Sequence, residues 1–382
     1  MIFRILEDQF AARIRESKDV DRRFMQLALA LGRRGRGSVW PNPAVGAVIV
    51  KDGVIVGRGW TQPGGRPHAE PEALRRAGEA ARGATLYVTL EPCSHFGKSP
   101  PCADAVIAAG IKRVVAAIED PNPEVAGQGH ARLRAAGITV DVGLCAAEAA
   151  FDHAGHFRRI RDKRPHVILK LAVSPDGKIG AAGGRPLAIT GEAVRDRVHL
   201  LRAQNDAILV GIGTVLADNP QLNCRLPGMA ARSPVRVVLD QNLRIPASSQ
   251  LVRSARELPL WVIASELAEA AAATRLGAAG AQIMRVPPGS ATGLDLPAVL
   301  HRLAEKGITR LMVEGGSHVA ASFVSADLVD EIWLFRGAEE VGAGGVDALD
   351  ALPLSKITQS QAYKVHASET FGQDTLTIYE RA

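Results

Sequence analysis

An imidazole, a carboxyl group and two thiols occur in an order that suits a hydrolytic metal centre: His68-x-Glu70, then Pro92-Cys93, then Cys102 after eight intervening residues. One histidine and two thiolates make a three-ligand set for tetrahedral zinc. The fourth position is left for water, as catalytic rather than structural sites require. Bound zinc brings the pKa of its water down to about 7, which supplies a nucleophile at neutral pH. Glu70, two residues beyond the histidine, can carry that water's proton to a leaving amine. Cys93 and Cys102 are each expected at or near a helix start, where the helix dipole favours thiolate. His95 stands two residues after Cys93 as an alternative ligand. Cys145 and Cys224 have no partner spacing and read as plain buried or loop thiols.

The elements that must position these groups follow from apolar patterning and turn residues. Phe24, Leu27, Ala28 and Leu31 share one face of a helix predicted from about Val20 to Arg34, stopped by Gly35 and Gly37. Ala44–Val50 reads as a buried strand, Lys51-Asp52-Gly53 as a hairpin turn and Val54–Gly59 as the partner strand. A helix opens at His68 and runs to about Ala81. A strand over Ala84–Leu90 then leads into Glu91-Pro92-Cys93. Further elements are a helix from Pro100-Pro101-Cys102 to Ala109, a strand Arg113–Ile118, a helix near Gly129–Ala136 and a strand Thr139–Val142. This alternation predicts a three-layer α/β domain, a sheet between helices.

His-x-Glu…Pro-Cys…Cys is also the signature of zinc deaminases, with two residues rather than eight between the usual cysteines. Together with Pro41-Asn42-Pro43-x-Val45-Gly46 and Glu91-Pro92-Cys93-Ser94-His95-x-Gly97-x-x-Pro100-Pro101-Cys102, it resembles the deaminase half of the bifunctional riboflavin-biosynthesis deaminase/reductase family, in which the long insert is normal. The resemblance implies zinc on His68, Cys93 and Cys102, a proton shuttle at Glu70 and a pyrimidine contact at Asn42. Without it, Asn42 is simply a turn residue between prolines.

In the second half, an Ala/Arg/His-rich stretch reads as helix and linker. It precedes a strand His166–Val173, a helix Glu192–Ala203 and strands Asp206–Val210, Val235–Leu239, Leu260–Ala264, Ile283–Val286 and Arg310–Val313. Gly211-x-Gly213-Thr214 and Glu314-Gly315-Gly316-Ser317 are candidate phosphate cradles or tight turns. A Rossmann site is unsupported, because the third glycine of its fingerprint is missing. Lys170-x-x-x-Ser174-x-Asp176-Gly177-Lys178, Leu201-Arg202-Ala203, Asp218-Asn219-Pro220-x-Leu222 and Val313-Glu314-Gly315-Gly316 resemble the reductase half of the same family. That implies a dihydrofolate-reductase-like α/β domain using NADPH. Cofactor contacts are implied at Val173, Ala188, Thr214, Asp218, Gly315 and Gly316. Substrate contacts are implied at Pro186, Arg202, Leu222, Arg225 and Glu314, with the arginines suited to phosphate. Ala188 stands where the family usually has tryptophan, and the segment after Phe335 fits the family poorly.

The division expected is an extension over 1–19, a cytidine-deaminase-like domain over 20–146, a linker over 147–164 and the reductase over 165–382. The activities implied are hydrolytic deamination of a phosphoribosylated diaminopyrimidinone and NADPH-dependent reduction of its ribosyl group to ribityl. The alternatives are a chain active only in the first step with a degenerate or differently specific reductase, a base-editing deaminase fused to an unrelated reductase, and a non-catalytic zinc-binding or regulatory protein that kept the fold. Composition is ordinary for a soluble globular protein, with 382 residues, 47% hydrophobic and 23% charged, and a net charge of +6. There is no run of about 18 apolar residues for a membrane helix, nor a secretory leader, and four cysteines are too few for a disulfide scaffold. The expectation is a cytoplasmic homo-oligomer with small phosphorylated pyrimidine substrates and no nucleic-acid or membrane partner. The Arg33, Arg34 and Arg36 cluster reads as a solvated helix end.

Overall fold

The protein is described from a computed structural model, covering residues 19–97, 100–182, 187–289 and 293–382. The chain divides into two compact units, the first ending at Asp162 and the second beginning at Lys163.

The first unit contains α1 (residues 19–33), β1 (Gly46–Lys51), β2 (Val54–Trp60), α2 (Ala69–Ala77), β3 (Thr85–Val88), α3 (Cys102–Ala108), β4 (Arg113–Ala116), α4 (Gln128–Ala135), β5 (Thr139–Val142), α5 (Ala146–Asp152) and α6 (Ala154–Arg161). Its sheet runs β2-β1-β3-β4-β5. β1 is antiparallel to both neighbours, and β3, β4 and β5 are parallel. Alternate strand residues point to opposite faces. Ala47, Ile49, Leu86, Val88, Val114 and Ala116 meet α2, α3, α4 and α6 in one core. Val48, Val50, Tyr87 and Val115 meet α1 and α5 in another. The predicted three layers are therefore present.

The expected linker is corrected by this arrangement. Residues 146–161 form α5 and α6, and they are bonded into the first unit. Asp152 accepts from Arg33 at 2.8 Å and from Arg36. His153 Nε2 lies 3.1 Å from the Thr89 hydroxyl, and His156 Nε2 lies 3.1 Å from Asp120 Oδ1. Arg33 and Arg34 are exposed at the end of α1, as expected, but the cluster is also partnered: Arg34 stacks over the Trp60 ring while Arg33 and Arg36 hold Asp152.

Close approach between β2 and α2 sets the first functional helix. A Cβ on Gly59 would lie 2.2 Å from Ala69 O and 2.6 Å from Ala73 N, so the first turn of α2 rests on bare backbone. Gly59→Ala is expected to cost about 1–3 kcal/mol by overpacking. Any chemistry of the His68, Cys93 and Cys102 cluster should fall before any activity of the second unit. A denaturant titration read together with both activities checks this, and unchanged stability would show that the strand gives way.

The second unit contains β6 (His166–Val173), β7 (Lys178–Gly180), α7 (Glu192–Ala203), β8 (Ala207–Gly211), α8 (Ile212–Asp218), β9 (Val235–Leu239), α9 (Gln250–Arg253), β10 (Leu260–Ser265), α10 (Ala270–Ala278), β11 (Gln282–Val286), α11 (Leu296–Glu305), β12 (Arg310–Val313), α12 (Ser317–Ser325), β13 (Glu331–Arg336), β14 (Val346–Asp347), α13 (Ser355–Thr358), β15 (Tyr363–Phe371) and β16 (Asp374–Arg381). The sheet order is β11-β10-β9-β8-β12-β6-β13-β16-β15. From β11 to β13 the strands are parallel, and β16 and β15 add antiparallel. The chain steps outward from β8 to β11 and then returns to insert β12 between β8 and β6. Ligand crevices open at such reversals, beyond the carboxyl ends of the strands. The expected start of a strand at Asp206 is instead a buried cap, its carboxylate accepting from Thr309 N at 2.8 Å and Arg310 N at 2.9 Å.

One buried ion cluster braces the sheet. Glu331 Oε2 accepts from His166 Nε2 at 3.0 Å and from Arg310 at 3.1 Å, and Glu331 Oε1 accepts from the Trp333 indole. No helix among the described residues is long and apolar enough to cross a membrane.

Candidate active sites

In the first unit, His68 is the residue before α2, Glu70 lies in its first turn, Cys93 follows β3 and Cys102 opens α3. Their meeting depends on the loops. The Cys93 sulfur accepts from Cys102 N at 3.3 Å, and Cys93 O accepts from Ala103 N at 3.1 Å, so Cys93 itself caps α3. Glu91 secures the loop from the other side. Its carboxylate accepts from Asp120 N at 3.3 Å, Gly127 N at 3.0 Å and His130 N at 3.1 Å. A Cβ on Gly129 would come within 2.0 Å of Pro92 O, so α4 starts directly against the Pro-Cys turn.

The result is a compact donor set. Ligand atoms of His68, Cys93 and Cys102 all lie within 4.8 Å of one another. His68 Nδ1 is 3.3 Å from Cys102 Sγ and 3.8 Å from Cys93 Sγ. His95, the alternative ligand, is not in this group. All four cysteines are free thiols; Cys145 precedes α5 and Cys224 is buried in the second unit. Glu91, Glu119 and His130 form another close cluster, but the Glu91 oxygens already receive three amides.

Electrostatics set the protons. The Cys102 thiol bonded to Cys93, with His68 beside it, brings the Cys93 thiol down to about 4. The same shared proton, with burial, holds Cys102 well above its ordinary value. Glu70 is 3% exposed. Burial first, and then the charge on Cys93, raises its carboxyl to about 7, against the pull of His68. A soft, partly ionised N/S₂ donor set fits zinc. The Asn42 side-chain amide donates to Gly65 O at 2.8 Å, which orients its carboxamide.

In the second unit a cavity of about 1210 Å³ opens at the reversal of strand order. Gly211, Gly213, Thr214 and Asp218 line it after β8, and Gly316 and Ser317 after β12. Gln241, Asn242 and Arg244 line it after β9. The small β7/β14 sheet contributes Ile179, Gly180 and Val346. Gly316 N donates to the Thr214 hydroxyl at 3.1 Å, joining the two glycine loops. A Cβ on Gly315 would lie 2.6 Å from the Val210 Cα, whereas one on Gly213 would meet only open space. The volume and the bare backbone at Gly213 suit a dinucleotide.

The expected cofactor contacts therefore divide. Thr214, Asp218 and Gly316 line the cavity, and Gly315 packs behind it. Val173 is wholly buried with its carbonyl accepting from Gly337 N, and Ala188 is exposed beside the lining residue Leu187, so neither lines the cavity. Pro186 lies outside the described residues.

Arg202, Leu222, Arg225 and Glu314 do converge, but not as a free phosphate clamp. Glu314 takes two bonds of 2.9 Å from Arg202 and one of 3.3 Å from Lys170. These cations outweigh the burial and hold its carboxyl at about 2. Arg202 also donates to Asn223 O, Leu222 is buried, and Arg225 is exposed, bonded to the Asn223 side chain. Lys170 stands in its sequence motif with no role marked by that motif, and neither Arg244 nor the β7/β14 sheet is marked by apolar patterning. Leu243-Arg244-Ile245, a cation between two apolar residues in a turn, was the available signal.

Two family descriptions match the chain. Residues 18–118 match the cytidine and deoxycytidylate deaminase zinc-binding region, and residues 165–377 match the RibD C-terminal domain. The riboflavin biosynthesis protein RibD of Aquifex aeolicus is 40% identical over 364 residues, 95% of this chain and 99% of that one. The Escherichia coli protein of the same name is 40% identical, covering 93% of this chain and 97% of its own. Among solved structures, Acinetobacter baumannii RibD matches with a TM-score of 0.84 at 35% identity, covering 96% of this chain and 99% of its own. A Thermotoga maritima diaminohydroxyphosphoribosylaminopyrimidine deaminase/5-amino-6-(5-phosphoribosylamino)uracil reductase matches with a TM-score of 0.83 at 35% identity, over 96% of this chain and 100% of its own.

Proposed function

This chain belongs to the bifunctional deaminase/reductase family of riboflavin biosynthesis, and on that premise we propose how its residues divide the two reactions. It is an enzyme with a zinc-dependent deaminase and an NADPH-dependent reductase on one chain. The first reaction removes the 2-amino group of 2,5-diamino-6-(5-phosphoribosylamino)pyrimidin-4(3H)-one as ammonia. The second reduces the ribosyl group of the resulting uracil to ribityl.

His68, Cys93 and Cys102 hold the zinc, which supplies the Lewis acidity that makes water nucleophilic at neutral pH. Glu70 takes the proton of the attacking water and delivers it to the departing nitrogen. Burial, which raises its carboxyl above the ordinary value, suits a group that must hold a proton between the two halves of that transfer. Asn42 orients the pyrimidine through its carboxamide. The close meeting of one imidazole and two thiols, with the buried Glu70 carboxyl bonded to Cys102, carries this assignment.

When bound, NADPH would supply hydride for reduction at C1′ of the ribosyl group. Thr214, Asp218 and Gly316 border its cavity, and Gly315 keeps the β12 loop against β8. Glu314, fixed by Arg202 and Lys170, offers a charged edge to the ribosyl phosphate substrate, and Arg225 a cation. The first unit is the deaminase, including α5 and α6, and the second is the reductase. Family membership supports a cytoplasmic homo-oligomer that acts on small phosphorylated pyrimidines rather than nucleic acid.

The test is a stepwise assay on zinc-loaded protein. Ammonia should be released from the diaminopyrimidine phosphate without NADPH, and NADPH added afterwards should be oxidised in equal amount. Ammonia release with no NADPH oxidation would favour a degenerate reductase instead.

A further inference from the structure

We propose that Arg244 reads the 2′-phosphate of NADPH and thereby sets the preference for NADPH over NADH. This rests on the reading of the second unit's cavity as the cofactor site.

The charged side chains of the cavity wall are few: Asp218, Asp295, whose carboxylate accepts from Ala298 N at 2.9 Å, and Arg244. Among the described residues that line it, Arg244 is the only Lys or Arg. His318 also lines it, but its Nδ1 is 3.3 Å from the Asp350 carboxylate. The glycine loops at Gly213 and Gly316 carry no formal charge, and the Gly316 amide already donates to the Thr214 hydroxyl. Amides suit a bridging pyrophosphate, whereas a terminal phosphate monoester carries nearly two charges and calls for a guanidinium fork.

The turn that carries Arg244 is built to present it. Asp240, fully buried at the end of β9, accepts from Ile245 N at 2.7 Å through its side chain and from Leu243 N at 3.1 Å through its carbonyl. Leu243 and Ile245 are each 2% exposed, and they anchor the turn on both sides of an exposed Arg244. Gln241 O accepts from Ser265 N at 3.1 Å, which ties the turn to the end of β10. No ion pair or hydrogen bond to the described residues holds the Arg244 guanidinium. A fixed turn thus sets an uncommitted cation on the cavity wall, one strand away from the glycine loop after β8.

The test is equilibrium binding of NADPH and NADH to the full chain without pyrimidine, followed by nucleotide fluorescence, for wild type, Arg244→Ala, Arg244→Lys and Gly213→Leu. Arg244→Ala should weaken NADPH about 10- to 100-fold, the range for a lost charged hydrogen bond, and leave NADH within about twofold. Arg244→Lys should recover part of the loss, and 2′,5′-ADP should compete with NADPH for wild type but poorly for Arg244→Ala. Equal weakening of both nucleotides, or no change in either, overturns the proposal. Gly213→Leu fills the cavity and should lose both nucleotides. If it binds both as wild type does, the cavity reading fails; if it loses both while Arg244→Ala binds normally, only the role of Arg244 fails.

Discussion

Glu70→Gln is expected to slow deamination by about a thousandfold, within the range for loss of a general acid–base group, while NADPH-dependent reduction of the deaminated intermediate continues at the wild-type rate. The glutamine keeps the size of the side chain and its place in the first turn of α2, so zinc content should stay at one per chain. Only the ability to accept and return a proton is removed. Ammonia release under saturating substrate, with metal analysis on the same samples, separates this outcome from metal loss. Deamination within tenfold of wild type, with zinc bound, would remove Glu70 from its role. The second unit provides an internal control, since none of its cavity residues belongs to the first.

Glu331→Gln should be the most destabilising of the substitutions considered, by about 3–5 kcal/mol, because it leaves Arg310 buried without its counter-charge. Glu331 is 1% exposed. Bonds and charges from His166 and Arg310 outweigh its burial and hold its carboxyl at about 2, against an ordinary 4.5. A depressed carboxyl stabilises the fold fully above its unfolded pKa, and that contribution is lost as the pH falls from about 4.5 through about 2. The difference in stability between wild type and Glu331→Gln should therefore be largest near neutrality and shrink over that window. Glu314 titrates in the same range, so the difference between the two proteins, not either curve alone, is the readout. Denaturant unfolding of the second unit at several pH values measures it. A difference that stays constant with pH would mean that the carboxylate's charge is not what stabilises the cluster.

What the sequence disclosed follows the range of the interactions involved. His68, Glu70, Cys93 and Cys102 were legible because zinc chemistry restricts residue type, and three of the four sit beside a strand end or helix start that local patterning marks. The buried strands β1, β6, β8, β9 and β10 were legible as apolar runs. The hairpin β15–β16 was not, because β15 is largely exposed and has no continuous apolar face. Arg202 and Glu314 were found by resemblance, but their mutual pairing depends on α7 and the end of β12 meeting in space. Arg244 gains meaning only once the sheet order places the end of β9 beside that of β8. Val173 and Ala188 do not line the cavity, and nothing in their motifs marks this: Val173 is buried at the end of β6, and Ala188 is exposed next to Leu187, which does line it.

The two short helices between Ala146 and Arg161 decide where this chain can be divided. A fragment stopped at residue 146 would strand Arg33 and Arg36 without Asp152, and leave Thr89 and Asp120 facing solvent in place of His153 and His156. Thr89 also receives the amide of Gly46 at the start of β1, so the damage would reach the central strands. Separate expression of the halves, grafting onto another partner or insertion of a spacer should therefore place the join after Asp162, where one unit ends and the next begins.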